Sequence, residues 1–116
     1  MTEASAPVDR LGADLRRTVD RLRGLGLARL AASFEPEPTR ADAARAVAQR
    51  LADLAADLDG LPRRTVPRLA DAAVGDQVAV CGQDLLAAVQ SAPPSAELDA
   101  VTLAAADLLL DLRRRV

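Results

Sequence analysis

The chain has 116 residues, a length suited to one core with much surface left exposed, and it is half apolar with a net charge of −2 and a pI near 5.1. All 15 basic residues are arginine, and histidine, lysine and asparagine are absent. These absences exclude imidazole acid–base chemistry, histidine metal ligands, lysine Schiff bases and Walker-type phosphate loops, and one cysteine excludes an internal disulfide or a four-cysteine zinc site.

The apolar half is unusual in kind: 26 alanines and 19 leucines, one phenylalanine, and no tryptophan, tyrosine or isoleucine. Helices built from it must approach closely, or cover surface on another chain, to gain enough apolar contact. Charge is even along the chain, with nine arginines against ten acids in residues 1–60 and six against seven in 61–116. Nucleic-acid binding therefore lacks its usual basic footprint. The first ten residues carry no secretory pattern and no window is long and apolar enough to span a membrane, so the expected compartment is the cytoplasm.

Residues 1–8 are expected as a disordered tail and 9–116 as one helical domain. Asp9 is the expected N-cap of a first helix, about Arg10 to Arg23, with Leu11, Leu15, Thr18, Leu22 and Leu25 forming one seam at steps of four and three. Asp14 with Arg17 and Arg16 with Asp20 lace its outer face. Gly24 and Gly26 end it, and a further turn carries Leu27 and Leu30. Phe34 reads as a plug over one end of the core, and Glu35-Pro36-Glu37-Pro38 as an extended linker.

Thr39 and Asp42 form a cap for a second long helix from Arg40 to about Asp59, with seam Ala44, Val47, Leu51, Leu54 and Leu58 and a stop at Gly60. Only four glutamates exist and none clusters on a helix, so a magnesium site of the all-helical pyrophosphohydrolase kind is excluded. Residues 61–73 read as a long, partly extended connection marked by Pro62 and Pro67, with a helical turn near Arg68 to Ala72. Arg63, Arg64 and Arg68 lie within it. Their simplest role is to pair with acids; the functional alternative is that they converge on an anion near the next helix start.

That helix is expected from about Asp76 to Val89, with Val78, Gly82, Leu85 and Val89 inward and Gly82 admitting a neighbouring backbone. Cys81, beside Gln77 and Asp84, reads as a small buried apolar residue rather than a nucleophile. Ser95 caps the last helix, whose seam is Leu98, Val101, Ala105, Leu108 and Leu112. Leu103, Leu109 and Leu110 lie off that seam and widen the apolar arc beyond what a surface helix needs, pointing to central burial or a partner surface. Arg113, Arg114 and Arg115 suit the negative end of its dipole.

Four seams of one period predict an all-α four-helix bundle with a long, partly extended connection before the third main helix. The expected function is a non-catalytic, regulatory or accessory interaction module using Leu103, Leu109 and Leu110 for a protein partner or a homodimer. It calls for no cofactor, metal or catalytic residue. An anionic-ligand sensor built on Arg63, Arg64 and Arg68 is the second reading, and a DNA-binding regulator the third.

Overall fold

A computed structural model describes residues 6–116. The fold is all-α: α1 (Pro7–Gly24), a short α2 (Leu27–Ala31), α3 (Arg40–Asp59), α4 (Val74–Ser91) led by a single 3-10 turn at Asp71–Ala73, and α5 (Ala96–Arg115). No described helix is long and apolar enough to cross a membrane.

The ends of the helices follow from local chemistry. Pro7 starts α1 because its fixed φ and missing N–H suit the first helical position, so the helix begins before Asp9, which sits in the first turn instead of capping it. The expected tail over 1–8 thus loses Pro7 and Val8 to α1, and residues 1–5 lie outside the described residues. Thr39 Oγ1 accepts from the Asp42 N–H at 3.1 Å and Ser95 Oγ from the Leu98 N–H at 3.0 Å, so both expected caps form. Gly60 ends α3 at φ 67°, the left-handed conformation that costs glycine least.

The long helices sit at four corners in the order α1, α4, α3, α5, with the α3–α5 edge sparse, and the molecule is flattened to 42 × 40 × 21 Å. Cross-helix pairs set the directions. Arg10 meets Asp107 and Arg21 reaches the Val116 carbonyl, so α1 and α5 run parallel. Leu15 lies against Gly82 and Arg23 against Gly75, so α4 runs opposite to α1. Because α3 and α4 are parallel, the chain must travel the length of α3 between them, which is the work of the extended connection.

One apolar cluster joins all four long helices. The face of α3 is built largely from Ala41, Ala44, Ala48 and Ala55, small enough to let α4 come close. Leu54 and Leu58 of the expected seam are only partly buried. On α5 the buried residues Leu98, Thr102, Ala105, Leu109 and Leu112 form one seam, with Ala106 buried beside it and Val101 and Leu108 turned partly outward. Both sets step by four and three, so periodicity alone does not choose between them. The inward face is the one that meets α1, where Thr18 Oγ1 donates to the Leu109 carbonyl at 3.1 Å; the Thr102 hydroxyl buried on the same face is satisfied within its own helix by donating to the Leu98 carbonyl at 2.7 Å.

Leu109, expected in a partner surface, is therefore a core residue with none of its surface exposed. Leu103 and Leu110 are half-buried. Phe34 is half-buried between the guanidinium groups of Arg40 and Arg115, each 5.2 Å from its ring centre.

Candidate binding groove

The 61–70 connection is a strap that runs back along α3. Pro62 and Pro67 keep it out of a helix, and it has no strand beside it, so its backbone groups need partners from side chains. Gln49 on α3 supplies two: Oε1 accepts from the Val66 N–H at 2.8 Å and Nε2 donates to the Arg64 carbonyl at 3.0 Å. Arg45 donates to the Leu69 carbonyl at 2.7 Å while pairing with Asp42 and Asp71. Gln77 on α4 donates from Nε2 to the Pro67 carbonyl at 2.6 Å.

The arginines of the strap do not converge. Arg63 forms a two-pronged pair with Asp57, at 3.0 and 2.7 Å, and Arg68 pairs with Asp42 at 3.0 Å. Those two aspartates are fifteen positions apart on α3, about 22 Å along the helix axis. Arg64 lies between them, engaged by no acid among the described residues. The Arg63 hydrogen bond holds the Asp57 carboxyl below the ordinary aspartate range. Burial pushes the Asp42 carboxyl up, and hydrogen bonds from Thr39, Arg45 and Arg68 more than reverse this, leaving it lowered too.

Between the strap and α4 lies an open groove of about 640 Å³ whose exposed wall is mostly apolar, formed by Val66, Pro67 and Leu69 on one side and Ala73, Val80 and Cys81 on the other, with Arg64, Thr65, Asp76, Gln77 and Asp84 also lining it. That volume is in the range of ligand sites. It continues past Ala52, Arg64 and Asp84 into a trough of about 410 Å³ floored by Ala52, Ala55, Ala56 and Ala87 and edged by Leu61 and Pro62. Of the four large apolar side chains exposed to solvent among the described residues, Leu61, Leu69 and Val80 border this double groove; the fourth, Leu27, does not.

Two buried polar groups lie along it. Cys81 is 7 % exposed; burial raises its thiol above the ordinary cysteine value and the Asp84 charge adds to that, so little thiolate forms near neutral pH. Gln77 is 8 % exposed, and its Oε1 is buried with no donor. Its amide cannot be turned over, because that would set Oε1 against the Pro67 carbonyl. Among the described residues no group of three or more Cys, Asp or Glu is placed to hold a metal ion.

Gln49, Gln77 and Arg45 organise this site, and none carries a motif in the sequence. The only signal was position: amides on helices flanking a proline-marked connection that lacks a strand partner. Comparison of the chain with protein-family models, curated proteins and solved structures finds no match.

Proposed function

We propose that the protein is a non-catalytic interaction module, regulatory or accessory in role, whose contact surface is the groove between the strap and α4. The observation that carries this reading is the clustering of Leu61, Leu69 and Val80 around one apolar concavity, where exposed large apolar residues mark a surface that gains from being covered. The expected homodimer surface on α5 loses its centre once Leu109 is in the core, and the half-buried Leu103 and Leu110 that remain offer less area to a partner. The anion-sensor reading loses its support because Arg63 and Arg68 are already neutralised by aspartates far apart. Carboxyls held low and a thiol held high supply poor bases and nucleophiles near neutral pH, in keeping with a binding role.

The test is a photo-crosslinking amino acid placed at position 80 in the native cell. A discrete protein adduct is expected there and none at position 104, on the exposed face of α5. Val80→Arg should abolish the complex and Leu110→Arg should leave it intact. The opposite pattern would return the contact surface to α5.

A further inference from the structure

The double groove has two chemically different ends. At one, Val66, Leu69 and Val80 make the walls apolar, and the acid beside them, Asp76, is already paired with Arg23 at 2.7 Å. At the other lies the alanine-floored trough, lined by Asp59 at the end of α3, with Asp84 on α4 and Arg64 on the strap where the two concavities meet. None of these three has an ion-pair partner among the described residues, and the neighbouring Arg63 is taken up by Asp57 and Asp53. The trough therefore presents two carboxylates against one guanidinium, a net negative charge that a cation entering it would balance. Shape adds a second requirement. The α4 wall repeats at helical steps through Ala73, Val80, Asp84 and Ala87, a face about 21 Å long. The strap opposite offers little backbone for an extended segment to pair with. Pro67 has no N–H, and the Arg64, Pro67 and Leu69 carbonyls and the Val66 N–H are already bonded to Gln49, Gln77 and Arg45. A helix of about four turns matches the length and brings its own backbone bonds already made.

We infer that the groove receives an amphipathic helix of a partner protein, apolar where it crosses Leu69 and Val80 and basic where it reaches the trough, its lysine or arginine side chains lying against Asp59 and Asp84. This rests on the groove being the contact surface. A second copy of this chain does not supply such a helix. Among the described residues the large apolar side chains exposed outside the groove reduce to Leu27, on the five-residue α2. Two grooves set face to face would leave both concavities empty. Because Asp76 already has Arg23, the basic residues belong at one end of the partner helix only, the end that meets the trough.

The test is fluorescence anisotropy of labelled helical peptides titrated with the whole chain. Three peptides of about four turns share one leucine stripe. One carries two arginines in its last turn, one carries them in its first turn, and one carries glutamates at both ends. The arginine peptide whose direction suits the groove is expected to bind about tenfold more tightly than the glutamate peptide, with added salt narrowing the gap. This comparison leaves the protein unaltered, so it does not depend on how a variant folds. Asp59 and Asp84 are both exposed, and exchanging them together, Asp59→Arg with Asp84→Arg, should reverse the preference. Val80→Arg should abolish binding of all three. Equal affinity of the three peptides for the native protein would overturn the inference, as would a preference that survives the double exchange, or silence from all three while the adduct at position 80 persists; the groove reading would survive each of these. Loss of that adduct together with silence would remove the groove reading as well. An adduct made of two copies of this chain would overturn the partner helix in favour of self-association.

Discussion

At Gly82 an added Cβ would lie 2.3 Å from Leu15 Cδ1 and 2.7 Å from Cδ2, a contact inside the core where neither helix has room to move. Gly12, also within a helix, would meet only the mobile end of Arg16 at 3.7 Å. The same substitution therefore has opposite signs. Gly82→Ala should destabilise by about 1–3 kcal/mol through overpacking, although alanine is the better helix former. Gly12→Ala should stabilise by up to about 1 kcal/mol. Urea denaturation of the two variants checks both, and equal effects would mean that α1 and α4 are not in contact at this point. At Cys81, burial first and the Asp84 charge second hold the proton on sulfur. Iodoacetamide should react with it far more slowly than with a free thiol at pH 8, and Asp84→Asn should speed the reaction by removing one opposing charge. An unchanged rate would show that opening of the groove, not ionisation, limits access.

The strap is an extended element held by side chains from the helices beside it. Gln49 makes two of these bonds with one carboxamide, so Gln49→Ala should cost about 1–2 kcal/mol. Amide exchange at the Val66 N–H should accelerate more than exchange in the core of α4, which separates strap release from global unfolding. The ion pairs add a pH dependence of definite sign. Asp42 and Asp57 titrate below their ordinary values in the folded chain, so their contribution is full above the unfolded aspartate value and is lost as pH falls through the folded one. Acid should loosen the strap in the range at and below the ordinary aspartate pKa. Asp42→Asn should flatten that part of the stability–pH curve, and a curve of unchanged shape would assign the acid sensitivity elsewhere. Proline and glycine made this element visible in advance as a connection. Its path along α3 was not visible, because Gln49 and Gln77 act through backbone groups distant in sequence, and no local pattern marks such a bond.

For the molecule as a whole, the parallel pairing of α1 and α5 is pinned by a largely buried cluster. Arg113 donates to Asp14 Oδ1 at 3.0 Å, to the Asp14 carbonyl at 3.3 Å and to Thr18 Oγ1 at 3.2 Å, with Asp14 only 7 % exposed. Removing one partner leaves the other charge poorly solvated. Asp14→Ala is expected to cost about 2–4 kcal/mol, the lower end reflecting the partial exposure of Arg113. The paired change Asp14→Leu with Arg113→Met should recover most of that loss if the cluster serves register more than stability. Thermal unfolding measures both, and a double variant as unstable as the single one would make the ion pair a net stabiliser.

Apolar periodicity, caps and breakers by themselves determined that there are four long helices and where they stop, because these depend on residues within a turn or two of each other. They also determined that the third connection is long and extended. Tertiary structure decided which of two equally spaced seams on α5 faces inward: packing against α1, where Thr18 donates to the Leu109 carbonyl, moved Leu109 from surface to core, while the buried Thr102 is satisfied within its own helix. It likewise decided that Arg63 and Arg68 meet separate aspartates, because the strap runs along α3 instead of gathering at the start of α4. The groove beneath the strap belongs wholly to this second kind. It exists because two parallel helices must be joined by an extended segment lying over their junction, and no residue in it announces that arrangement alone.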